Sequence, residues 1–159
     1  MRRPPLLLVL AFTLAAGLPG TGRSAAAWRP VPESTHTSKV RRLAREVVEF
    51  ARLQIGVPYR YGGSSRSTGF DCSGLVYAAY RSIGKPIPRS SWEQLHAGRR
   101  IRFGDLRAGD LLFTEGGGHV QLVVSKRAAI SAPQTGERVS YVPLRKLRAH
   151  FAGARRLLN

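Results

Sequence analysis

Apolar residues fall along this chain in three rhythms, and each predicts a different kind of element. The first is an almost unbroken run from Leu6 to Leu18. The second has helical spacing: Val40, Leu43, Ala44, Val47, Phe50, Ala51 and Leu53 form a stripe opposed by Arg41, Arg42, Arg45, Glu46 and Glu49. That pattern predicts an amphipathic helix laid on a core, with Ser38 to cap its start and Gly56 its end. Leu75, Val76, Ala79 and Ile83 repeat the spacing and predict a helix opening at Cys72 with Asp71 as N-cap. Ser90 and Glu93 make a capping box for a third, short helix. The third rhythm is a series of short apolar blocks between turn residues: Leu111 to Phe113, His119 to Val124, Ala128 to Ser131 and Val139 to Val142. These predict four strands of an antiparallel sheet, with a closing strand at Arg155 to Leu158. Helices come first and strands after, which is an α+β arrangement.

The first run changes the domain plan. Arg2 and Arg3 precede it and Ala25-Ala26-Ala27 follows, the pattern of a secretory signal peptide over residues 1–27 cut before Trp28. The run is shorter than the roughly 20 residues a membrane-spanning helix needs. No cysteine lies near the cut, so no lipoprotein anchor is expected, and the protein reads as secreted or periplasmic. Residues 28–38, with Pro30 and Pro32, read as a linker or N-terminal arm, and residues 39–159 as one monomeric domain.

Charge narrows the partners only a little. The formal charge is +17, and losing Arg2, Arg3 and Arg23 with the signal leaves +14. Such a charge favours anionic surroundings, including wall polymers. No basic run interleaved with aromatics marks a nucleic-acid site. One cysteine and four scattered histidines show no metal-ligand spacing, so no cofactor is expected.

The candidate chemistry centres on that lone cysteine. In an oxidising compartment a single Cys has no intrachain disulfide partner, so it is either a small buried hydrophobe or a working thiol. The predicted place of Cys72 in a first helical turn favours a thiolate through free N–H groups and the helix dipole. A nucleophilic thiol needs a base. His119, opening a predicted strand, is the candidate, with His96 the alternative; His36 and His150 fall in the arm and the tail. If residues 124–126 form a three-residue hairpin loop, His119 lies opposite Ser131, which then orients the imidazole; a register slip would change that partner. Tyr59-Arg60-Tyr61-Gly62-Gly63 is either an ordinary turn or a device for bringing a phenol near the cysteine.

Six stretches in order carry a family resemblance: Tyr59-Arg60-Tyr61-Gly62-Gly63, Phe70-Asp71-Cys72-Ser73-Gly74, Pro88-Arg89-Ser90-Ser91, Arg107 to Phe113, His119-Val120 and Ala132-Pro133. Over roughly residues 39 to 159 the chain resembles the NlpC-type cell-wall endopeptidases, a branch of the papain-like cysteine peptidases. The resemblance implies a papain-like α+β fold, with the nucleophile at a helix N-terminus packed on a small antiparallel sheet. It implies hydrolysis of peptidoglycan stem peptides, often between D-glutamate and a diamino acid, without a metal. It implies Cys72 as nucleophile, His119 as base and Ser131 as orienting group. Asp71, Ser73, Tyr61 and Ser91 match substrate-binding positions, Tyr61 also as an oxyanion donor. Two positions depart from the family pattern: Ser131 stands where His is common, and Gln121 where Gly is usual. Losing a charge-assisted partner costs about 1.5–3 kcal/mol, on the order of ten- to a hundredfold in rate. Two rival readings follow: a silent wall-binding module, or a Cys–His amidase or acyltransferase with another substrate.

Overall fold

The computed structural model describes residues 34–159; the expected signal segment and the first part of the expected arm lie outside the described residues. The first element, α1 (Thr35–Leu53), starts earlier than Ser38. Ser34 is its cap and accepts the Thr37 N–H at 3.2 Å, while Ser38 Oγ donates to the Thr35 carbonyl at 2.9 Å. Residues 35–38 of the expected arm are therefore helical. No Gly or Pro interrupts Thr35-His36-Thr37-Ser38, and Thr or Ser costs well under about 1 kcal/mol in a helix. The expected stripe faces inward through Val47 and Ala51, joined by Val48, but Leu53 at the helix end is 63% exposed.

A two-residue ribbon follows, β1 (Ser64–Ser65) against β2 (Gly69–Phe70), and feeds straight into α2 (Cys72–Arg81). A loop leads to the single turn of α3 (Ser91–Gln94), where the expected Ser90–Glu93 capping box is formed in both directions. The rest is a six-stranded antiparallel sheet. Its strands are β3 (Arg99–Arg100), β4 (Leu111–Thr114), β5 (His119–Val123), β6 (Ala128–Ser131), β7 (Ser140–Pro143) and β8 (Gly153–Arg156), in the order β3-β8-β4-β5-β6-β7. A single turn, α4 (Leu144–Leu147), follows β7. The four expected strands are the run β4 to β7. The closing strand is found two residues earlier than expected, and it lies between β3 and β4.

The period-2 alternation of the strands sorts their side chains onto two faces. Leu111, Phe113, Val120, Leu122 and Ile130 pack with α1 and α2 into the main core. Leu112, Val123, Ala129 and Ala154 face the other way, under Ile101, Leu106 and Leu144. This is the α+β layering with α2 against the sheet, and it brings the N-terminus of α2 to the start of β5.

Candidate active site

The N-terminus of α2 is held by one carboxylate. Asp71 is the N-cap, its Oδ1 accepting the Gly74 N–H at 2.6 Å. Its Oδ2 accepts the Gly62 N–H at 2.8 Å, so the same side chain ties the Tyr59–Gly63 turn to the helix. Arg89 grips both oxygens, Nη1 at 3.0 Å and Nη2 at 2.8 Å, and its Nη2 also reaches the Gly63 carbonyl at 3.1 Å. Ser73 Oγ donates to Asp71 Oδ1 at 3.2 Å and accepts from Arg89 Nη1 at 3.0 Å. Gly74 is required here: a Cβ would run into the Gly63 carbonyl oxygen. Burial alone would raise the Asp71 pKa, but the Arg89 hydrogen bonds and the Gly74 and Gly62 amides outweigh it and hold the carboxyl below its ordinary value.

Cys72 follows at the first helical position, half-buried, with its thiol against the Val120 N–H of β5. The expected easy thiolate does not result. Burial pushes the thiol above its ordinary value, the Val120 N–H pulls it down, the Asp71 carboxylate pushes it up again, and the Ser73 and Cys72 amides do not reverse the balance. The helix terminus helps as anticipated, but desolvation costs more.

His119 opens β5, one residue before Val120, and shares no hydrogen bond with the thiol. Its Nε2 lies 2.9 Å from Ser131 Oγ on β6, leaving Nδ1 as the second ring nitrogen. The expected register is off by two: Leu122 pairs with Ile130 and Val123 with Ala129, so His119 is diagonal to Ser131, not opposite. The connection is longer than three residues, with Ser125 Oγ accepting the Arg127 and Ala128 N–H groups at 3.1 Å. A shift of two preserves the face, so the contact survives. Burial holds the His119 pKa below its ordinary value, Glu115 opposing. His96 is exposed, its Nδ1 2.8 Å from the Trp92 carbonyl.

The four other expected residues divide. Tyr61 is 87% exposed. Tyr59 is half-buried, and its pKa is raised by burial first and then by the charges of Cys72, Asp71 and Tyr61. Sequence reasoning gave the role to Tyr61 and none to Tyr59, and nothing in the sequence of the turn separates the two rings. Asp71 and Ser73 are committed to the Arg89 network. Ser91 Oγ donates to the Gly118 carbonyl at 3.1 Å, immediately before His119. The Trp92 ring covers the neighbouring Gly117, which has φ 115° and no room for a Cβ. Among the described residues no three His, Cys, Asp or Glu side chains gather to hold a metal.

Comparison with known proteins gives a consistent picture. Residues 56–156 match the model of the NlpC/P60 family. Murein DD-endopeptidase MepH of Escherichia coli K12 is 40% identical over 134 residues, 78% of this chain and 49% of that protein. Peptidoglycan endopeptidase RipB of Mycobacterium tuberculosis H37Rv is 36% identical over 140 residues, 76% of this chain and 58% of that protein. A solved structure of the peptidoglycan hydrolase RipB from Mycobacterium tuberculosis superposes with a TM-score of 0.69 at 32% identity, covering 81% of this chain and 74% of that one. The chain spans about half the length of the curated relatives it matches.

Proposed function

This chain belongs to the NlpC/P60 family, and from that premise we propose that it is an exported cysteine endopeptidase of peptidoglycan stem peptides. The bond assigned is that between D-glutamate and the diamino acid. The observation that supports the reading is the meeting of three elements: Cys72 at the α2 N-terminus, its thiol on the Val120 N–H of β5, and His119, the residue before Val120, with Nε2 on Ser131 of β6.

Burial disfavours both the thiolate and the imidazolium, which supports a resting pair of neutral thiol and neutral imidazole. The proton then moves only as the bond forms. Cys72 Sγ attacks the amide carbonyl carbon while His119 Nδ1 takes the thiol proton. The carbonyl oxygen becomes an oxyanion, facing the Cys72 N–H and the Tyr59 hydroxyl. The C–N bond breaks as the imidazolium returns its proton to the leaving nitrogen, giving a thioester. Water, deprotonated by the same ring, opens the thioester and restores the thiol. Asp71, Ser73 and Ser91, engaged internally, act by shaping the wall rather than by first contact with the peptide. Lysine and arginine excess favours residence on the carboxylate-bearing wall after export.

Digestion of purified sacculi tests the reading, with products identified by mass spectrometry. Fragments ending in D-glutamate should appear and vanish with Cys72→Ala. Cleavage only at a D,D cross-link would move the bond, and intact sacculi with intact soluble muropeptides would overturn the assignment to murein.

A further inference from the structure

A hydroxyl both donates and accepts, so the 2.9 Å contact between His119 Nε2 and Ser131 Oγ does not by itself decide where the ring carries its proton. If Ser131 donates, the neutral ring is protonated on Nδ1 and has no lone pair for the Cys72 proton. If Nε2–H donates, the Ser131 proton needs a different acceptor. Ser131 is 2% exposed, so bulk water does not supply one.

The same sheet face holds an acceptor in the complementary predicament. The β5–β6 pairs Leu122 with Ile130 and Val123 with Ala129, continued by one residue, set Gln121 beside Ser131. Gln121 is 2% exposed; its Nε2 donates to Thr114 Oγ1 at 3.1 Å, and its Oε1 is buried with no partner. Thr114 in turn pairs with His119 across β4 and β5. Four polar side chains thus share one patch: the Ser131 hydroxyl needing an acceptor, the Gln121 amide oxygen needing a donor, the Thr114 hydroxyl that holds the Gln121 amide, and the His119 ring. Buried polar groups are rarely left in that state.

We propose that Gln121 is a positioning residue: its Oε1 accepts the hydrogen bond of the Ser131 hydroxyl, so that Ser131 can only accept from His119 Nε2–H and Nδ1 stays free for the thiol. The inference rests on the catalytic reading of Cys72 and His119. Ser131 and Gln121 then do jointly what one stronger polar group does at the third position in relatives. The Ser131–Gln121 bond is not made in this structure, and the Gln121 side chain swings on its Thr114 contact to make it.

The test reads the ring directly. In ¹⁵N-labelled protein above the His119 pKa, the nitrogen spectrum should show Nε2 protonated and Nδ1 bare, the His119 signals being assigned by their loss in His119→Gln. Gln121→Met, close in volume but without an acceptor, should move a substantial share of the proton to Nδ1. Hydrolysis should fall about tenfold in kcat with KM unchanged, and adding Ser131→Ala should cost little more. A wild-type ring protonated on Nδ1 would overturn the proposal, and needs no variant to fold. So would a folded Gln121→Met protein whose ring stays wholly protonated on Nε2. These spectra need no substrate, so a failure of the murein assignment on sacculi stays distinct from a failure here.

Discussion

Two arginine–carboxylate forks are built into this domain, and they show how one chemistry serves two ends. Arg89 grips Asp71 at the mouth of the site; Arg156 grips Asp110 with Nε and Nη2, both at 2.7 Å, where β8 joins the sheet. Both are bidentate, the stronger form of such pairs. They differ in burial. The side chains of Asp110 and Arg156 are 2% and 12% exposed, those of Asp71 and Arg89 11% and 36%. They differ more in what they hold. Asp110 also accepts the Arg107 N–H at 2.8 Å, and Arg156 Nη2 also reaches the Asp105 carbonyl at 3.0 Å, so that fork fastens the last strand to the turn before β4. The Asp71 fork joins the tyrosine–glycine turn, α2 and the Pro88–Arg89 loop. The first fastens the sheet; the second fixes the N-terminus of α2, where the proposed nucleophile sits.

The comparison breaks most visibly at Asp110. Asp110→Ala leaves the Arg156 guanidinium, 12% exposed, with only the Asp105 carbonyl, and breaking a buried pair in this way costs about 3–5 kcal/mol. Against a total stability on the order of 5–15 kcal/mol, most of the margin goes. Denaturant unfolding should show that loss, and hydrolysis should fail only in step with the folded fraction. Full stability in the variant would remove Asp110 from the structural role given it here.

Asp71→Asn should separate the two functions. Arg89 is a third exposed and water screens it, so the stability cost is smaller, about 1–2 kcal/mol. The activity cost is larger, because the turn and the helix lose their common anchor: a misplacement of about 1 Å can cost a hundredfold. The acid side checks the same carboxyl. Its folded pKa lies below the ordinary 3.8, so its contribution to stability is present above that value and lost as pH falls through the depressed one. Acid unfolding of Asp71→Asn should lack this component. A variant that loses stability and activity in equal measure would make the two forks alike.

What the residues announced in advance follows the range of the interactions involved. The cap at Asp71, the Ser90–Glu93 box and the short apolar blocks of β4 to β6 are local, and all three are found. The misreadings needed distance or competition. Tyr59 and Tyr61 stand two residues apart in one turn, and only the folded chain leaves the second 87% exposed and the first half-buried. The β5–β6 register depended on Ser125 closing a longer loop, invisible in a hydrophobic pattern. The closing strand was set two residues late, and the Arg156–Asp110 fork that holds its end joins residues 46 apart. The Cys72 thiol was misjudged because the helix dipole is readable from sequence and desolvation is not. The contact of His119 with Ser131 was reached from a wrong register, and it holds because the error was an even number of residues.

That thiol supplies the finest test of the contrast between the forks. Alkylation by iodoacetamide follows the thiolate fraction alone, so in the wild type its rate should keep rising past the ordinary thiol value of 9.0. Hydrolysis by a neutral thiol–imidazole pair follows a different rule. It needs His119 unprotonated and Cys72 still carrying its proton, so it should hold a plateau from below 6.5 to above 9.0. Asp71 is one of the groups that raise the thiol, and Asp110 is not. Asp71→Asn should therefore shift the alkylation curve to lower pH and label Cys72 faster at pH 8, while cutting murein more slowly. Asp110→Asn, measured where it is still folded, should leave that curve in place. Faster labelling with slower cleavage is the result expected if the site depends on where its thiol is held more than on how readily that thiol ionises. Labelling and cleavage that rise together in Asp71→Asn would instead make thiolate supply the limiting factor and the Asp71 fork a brake on it.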